Sequence, residues 1–155
     1  MTASPHNIHA TAIVVGDRGL LFVGPSGIGK SMMAFNCLSI ARRQNVRSLL
    51  VADDQVLVSR DGSRIVATCP PAIAGMIELR GSGIVAVDHM TTAPMDLAIQ
   101  VVSLADCERL PPENEEFQLE NIGALPLVRI ANTVPDPLAV IGALVPSWRR
   151  EQPFW

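Results

Sequence analysis

Charge is scarce in this chain. Only 17% of the residues are Asp, Glu, Lys or Arg, the formal net charge is −3, and no run of Lys and Arg is longer than a pair. Binding along a nucleic-acid backbone usually needs a basic face, so no nucleic-acid partner is expected. Cysteine is sparse too. Cys37, Cys69 and Cys107 are odd in number, widely spaced and never in a C-x-x-C pair. That pattern argues against a zinc site or a disulfide framework and for free thiols in a reducing compartment. The opening residues, Met1 to Asn7, lack the charged start and long apolar stretch of a signal peptide. No apolar run approaches the roughly 18 residues of a membrane span. A cytoplasmic protein with no membrane association is expected.

What is present is apolar: 48% of 155 residues are hydrophobic, enough for a compact globule with a real core. A single domain over residues 1–155 is expected. Its organising stretch is Gly24-Pro25-Ser26-Gly27-Ile28-Gly29-Lys30-Ser31, which matches the phosphate-binding pattern G-x-x-x-x-G-K-[ST] without a substitution. The apolar run Leu20 to Val23 leads into it, and Met32 to Arg43 reads as a helix behind it. The glycines let successive N–H groups point inward, and the helix adds its positive end. Lys30 would reach the outer phosphates, and the Ser31 hydroxyl would ligate Mg²⁺. The expected ligand is a nucleoside triphosphate.

Around this loop the pattern is that of a mixed sheet. Ala10 to Val15 and Leu20 to Val23 read as two strands joined by the tight turn Gly16-Asp17-Arg18-Gly19. The strand entering the loop would then pair antiparallel with its predecessor, unlike a doubly wound nucleotide fold. Ser48 to Ala52 reads as a buried strand ending at Asp53-Asp54. Gln55 to Ser59 and Arg64 to Thr68 read as a further pair of strands. The glycines between 72 and 85 place Glu78 to Gly83 in a loop before a strand at Ile84 to Val87. Leu97 to Leu104 and Leu125 to Ile130 read as strands, residues 105–121 as an exposed, mobile loop, and Leu138 to Leu144 as a closing helix.

A phosphate loop needs a carboxylate for its metal and a group that orients the nucleophile. Asp53 and Asp54, at the end of an apolar strand, can divide that work: one toward Mg²⁺, the other accepting a proton. Glu78 and Arg80 are two apart and share one side of an extended segment, which suits a metal contact and a phosphate contact. By residue type alone, the aspartates also fit a simple turn, Glu78 and Arg80 a surface ion pair, and His9 a structural role.

The loop, the segment Leu50-Val51-Ala52-Asp53-Asp54-Gln55-Val56 and the segment Ile77-Glu78-Leu79-Arg80-Gly81-Ser82-Gly83-Ile84 together resemble the catalytic domain of HPr kinase/phosphorylase. His9, twenty-one residues before Lys30, stands where that family has an active-site histidine. The resemblance implies an α/β fold akin to the nucleotide domain of phosphoenolpyruvate carboxykinase: a P-loop-bearing mixed sheet with flanking helices. It implies ATP- and Mg²⁺-dependent phosphorylation of a serine on HPr, the phosphocarrier of the sugar phosphotransferase system, by a homo-oligomer that is hexameric in the family. By position, it makes Asp53 the proton acceptor and gives the metal to Ser31, Asp54 and Glu78. Gly24, Ser26, Gly27, Ile28, Gly29 and Lys30 would form the cradle, with His9 and Arg80 lining the site.

The chain is similar to the short form known from alphaproteobacteria, without the amino-terminal domain of longer members. It departs from the family at Thr133-Val134-Pro135-Asp136-Pro137, where an arginine-bearing run is usual. That departure puts the reverse, phosphorylase reaction in doubt.

Two other functions fit the same motifs: a kinase or triphosphatase of this fold with a different acceptor, or an ATP-sensing regulator that transfers nothing. Intact Lys30, Ser31, Asp53, Asp54 and Glu78 weigh against the regulator. Lys30→Ala is expected to abolish phosphoryl transfer, because it removes the cation that meets the charge developing on the outer phosphates. Near-normal transfer by that variant in a radiolabelled-phosphate assay would contradict the assignment.

Overall fold

The computed structural model describes residues 4–154. Its backbone begins with strand β1 (His6–His9) and the hairpin β2 (Thr11–Val15) and β3 (Arg18–Val23). The phosphate loop follows β3 directly and opens helix α1 (Lys30–Arg43), two residues earlier than the apolar spacing suggests. Next come β4 (Ser48–Ala52), β5 (Gln55–Asp61), β6 (Arg64–Thr68), β7 (Met76–Leu79), β8 (Gly83–Ala86), β9 (Thr92–Met95) and β10 (Leu97–Val102). The chain closes with β11 (Glu116–Leu119), β12 (Gly123–Ala131) and helix α2 (Pro137–Leu144).

The central sheet has six strands in the order β11-β12-β10-β3-β2-β4. It is mixed, as expected: β3, β10 and β12 run parallel, while β2 pairs antiparallel with both β3 and β4. Alternation along these strands feeds two cores. Ile13, Val15, Leu20, Phe22, Leu50, Leu97 and Ile99 pack with Met33, Cys37, Leu38 and Ala41 of α1 and Leu138 and Ile141 of α2. Ala12, Val14, Leu21, Val23, Val51 and Ala98 point the other way, onto Val56, Val58, Ile65, Ala67 and Met95. Those last five belong to an antiparallel sheet in the order β1-β5-β6-β9. The result is helices on one face of the central sheet and a second sheet on the other. Among the described residues, no helix is long and apolar enough to cross a membrane.

Two expectations are corrected. Glu78 lies in strand β7, not in a loop, because β7 and β8 form a hairpin of their own. Gly75, Gly81 and Gly83 have positive φ: Gly75 precedes β7, Gly81 lies in the turn, and Gly83 is the first residue of β8. Residues 105–121 include β11, which pairs with β12, and Glu115, whose carboxylate takes a bidentate contact from Arg129 at 2.7 and 2.8 Å. A polar composition concealed a strand whose partner lies further along the chain.

Residues 148–154 are clamped against the fold. The Arg18 guanidinium lies 4.7 Å from the centre of the Trp148 ring and donates to both Glu151 oxygens, at 2.6 and 3.0 Å. Trp148 and Phe154 are buried against each other and against α2. A Cβ at Gly142 would sit 1.4 Å from the Phe154 carbonyl oxygen. Alanine in place of a helical glycine normally stabilises by about 1 kcal/mol. Here the overlap reverses the sign, and Gly142→Ala is expected to lose about 2 kcal/mol or more in urea denaturation. A gain in stability would show that the tail does not dock there.

Candidate active site

The phosphate loop takes its shape from backbone that only glycine adopts without strain. Gly24, Gly27 and Gly29 have φ of 141°, 80° and 113°. A Cβ on Gly27 would lie 2.9 Å from an Arg80 guanidinium nitrogen. Gly29 precedes α1 without any side-chain cap, and the first turn of α1 carries no acidic residue. The amide groups there are therefore free of side-chain competition for an anion. Asn132, just past β12, fixes the loop from outside by donating from Nδ2 to the Ile28 carbonyl at 3.1 Å.

Lys30 is the only lysine in the chain and is buried. Its Nζ donates to the carbonyls of Gly24 and Pro25 at 2.8 and 2.9 Å, folding the ammonium back over its own loop. Desolvation lowers its pKa, and the attraction of Asp54 and Asp53 opposes that shift. The side chain is held in the cradle as a poised cation.

The two aspartates occupy opposite surroundings. Asp53 is 5% exposed, and its carboxylate is fully engaged. Oδ1 accepts from Thr11 Oγ1 at 2.9 Å and Ser31 Oγ at 2.6 Å, and Oδ2 accepts from the Glu78 backbone N–H at 3.0 Å. Asp54 has φ +71°, a left-handed conformation that aspartate tolerates better than most side chains, and that turn throws its side chain outward. It is 68% exposed, with Oδ1 2.7 Å from His9 Nε2.

A cavity of about 360 Å³ gathers His9, Thr11, Ser26, Gly27, Gly29, Lys30, Ser31, Asp54, Glu78 and Arg80. Arg80 Nη1 donates to the Gly27 carbonyl at 3.3 Å, across the mouth of the loop. Of the residues expected from the sequence, Asp53, Gly24 and Ile28 do not line the cavity: Asp53 is buried, and the Gly24 and Ile28 carbonyls accept from Lys30 and Asn132. Thr11 and Asn132 were not singled out by sequence reasoning. Their partners lie 42 and 104 residues away, so only a hydroxyl inside an apolar strand run hinted at Thr11.

Among the described residues, no three His, Cys, Asp or Glu side chains converge as a metal cage. The donors present are a serine hydroxyl held by a carboxylate, with Glu78 facing the same cavity. Mg²⁺ commonly binds through one or two such groups together with substrate phosphates and water, so this donor set fits a metal carried with a nucleotide.

The model of the HPr Serine kinase C-terminal domain matches residues 1–130. The chain is 30% identical over 125 residues to the HPr kinase/phosphorylase of Clostridium acetobutylicum, covering 74% of this chain and 39% of that protein. It is 37% identical over 78 residues to the HPr kinase/phosphorylase of Mycoplasmopsis pulmonis, covering 50% of this chain and 23% of that one. The chain thus spans well under half the length of these relatives. Its fold matches the solved Hpr(Ser) kinase/phosphatase of Coxiella burnetii, with a TM-score of 0.72 at 23% identity over 93% of this chain and 96% of that one.

The geometry separates the aspartates by stability. Asp53→Ala leaves the Glu78 N–H and two hydroxyls, one of them the buried Thr11, without their acceptor and is expected to cost about 3 kcal/mol in urea denaturation. Asp54→Gly relieves a left-handed residue at the surface and is expected to be neutral or stabilising. Equal losses in the two variants would contradict the assigned surroundings.

Proposed function

We propose, from the premise that this chain belongs to the family of the HPr serine kinase C-terminal domain, that it transfers the γ-phosphoryl group of ATP to a serine of an HPr-type phosphocarrier protein. The observation that carries this reading is the joining of a complete phosphate cradle with an open carboxylate–histidine pair in one cavity. A protein that only senses nucleotide has no use for an accessible proton acceptor beside Lys30.

Geometry favours an exchange of the roles first expected for the aspartates. Asp54, exposed and paired with His9, is the proton acceptor for the serine hydroxyl, and His9 orients its carboxylate. Asp53 holds the Ser31 hydroxyl by its proton, so the Ser31 oxygen, together with the Glu78 carboxylate from β7, would hold Mg²⁺. Bound Mg²⁺ would neutralise phosphate charge. Lys30 and Arg80 exchange their present carbonyl acceptors for phosphate oxygens, and the Gly27 to Gly29 backbone receives the rest.

The forward direction is favoured. Reversal needs inorganic phosphate held beside phosphoserine, hence extra positive charge. Asp136, within the stretch where arginine is usual in the family, accepts from the Ala139 N–H at 3.0 Å as the cap of α2. Incubation with Mg-ATP and HPr-type proteins is expected to give phosphoserine, and Asp54→Asn to slow transfer by about a hundredfold or more while ATP still binds. Pyrophosphate formation from the phosphorylated acceptor and millimolar phosphate is expected to stay below about a tenth of the forward rate. Absence of phosphoserine on every such acceptor would refute the function. Unchanged turnover in Asp54→Asn would refute the role of Asp54.

A further inference from the structure

His9 and Asp54 form a wall between two cavities. On one side is the phosphate cradle; on the other is a groove of about 380 Å³ lined by Asn7, Ile8, His9, Asp54 and Gln55. We infer that this second groove is the acceptor subsite, which binds an extended polypeptide segment and delivers its serine hydroxyl to Asp54. The inference rests on the phosphoryl-transfer reading above and adds to it where, and by what chemistry, the acceptor is held.

Transfer requires the attacking and leaving oxygens to lie roughly in line on opposite sides of phosphorus. With the phosphates in the cradle, the attacking oxygen must come from across the proton acceptor. Asp54 is the carboxylate that faces both cavities, so a hydroxyl entering from the groove meets it first.

The groove chemistry selects the class of acceptor. Apart from the His9–Asp54 pair, its lining among the described residues holds no charged side chain. It presents two amides, Asn7 and Gln55, on the exposed face of the β1–β5 ladder, where His9 pairs with Gln55 and Asn7 with Leu57. Asn7 Nδ2 donates to Gln55 Oε1 at 3.3 Å, which leaves the Gln55 amide N–H groups and the Asn7 carbonyl for a ligand. A neutral donor beside a neutral acceptor matches the two halves of a peptide group. It offers nothing to a charged small-molecule acceptor. β1 is also the terminal strand of its sheet, so an extended segment can lie alongside it.

The test compares the wild-type chain with Asn7→Ala/Gln55→Ala and with the near-isosteric Gln55→Glu, using Mg-ATP and an HPr-type protein. Both positions are exposed, and the glutamate variant guards against a folding artefact. The double variant is expected to raise the acceptor KM about tenfold with kcat within about threefold, because uniform binding is lost, and to leave the dissociation constant for Mg-ATP unchanged. Gln55→Glu is expected to raise the acceptor KM in the same direction. An unchanged acceptor KM in an active enzyme would overturn the subsite and leave the kinase function standing. Weakened Mg-ATP binding would assign the groove to the nucleotide instead and overturn it equally. A wild-type chain that makes no phosphoserine would overturn the function itself and the subsite with it.

Discussion

A buried carboxylate joins three segments that are far apart in sequence. Asp53 takes its three hydrogen bonds from Thr11 on β2, Ser31 at the start of α1 and the backbone of Glu78 on β7. An ionised carboxylate out of water is tolerable only when it is well supplied with donors, and charge-assisted bonds are the stronger kind. The requirement works in both directions. The donors must be held where the carboxylate needs them, and the β2–β3 hairpin, the phosphate loop and the β7–β8 hairpin thereby acquire fixed relative positions. Their meeting point is the floor of the cavity.

Lys30 belongs to the same electrostatic unit. Burial disfavours its charge, and the attraction of both aspartates restores part of what burial removes. With no other lysine in the chain, this cation has no substitute of its own kind. Arg80 supplies a second positive group from the hairpin that also carries Glu78. The site therefore combines two cations with carboxylates in distinct surroundings, Asp53 buried and Asp54 and Glu78 open to the cavity. Adjacency in sequence made the pair look interchangeable. A change of backbone conformation between Asp53 and Asp54, marked by φ +71° at the second, made them different.

How much was legible followed the range of the interactions. The glycine-rich loop was readable because its pattern is local: glycines, a lysine and a serine at fixed spacing are enough to define it. The antiparallel entry to the loop was readable for the same reason, since the short turn at Gly16-Asp17 sets it. β7 was misread because its flanking glycines look like a loop until the hairpin partner β8 is in place. β11 was misread because its apolar content is low and its stability comes from β12 and from the Arg129–Glu115 pair. β1, with the sequence His6-Asn7-Ile8-His9, carries almost no apolar signal and gains its pairing from β5.

By itself the sequence determined the glycine-rich loop between β3 and α1, the mixed character of the sheet and most of the polar residues that line the cavity. These depend on spacing within short stretches, where the chain's own covalent geometry decides what can meet. Tertiary structure alone decided which aspartate is buried, that Thr11 and Asn132 support the site, and that His9 and Asp54 stand between two cavities. Those outcomes depend on segments tens of residues apart arriving at one place. Burial and hydrogen-bond satisfaction are properties of that assembled environment, and no residue carries them in its identity.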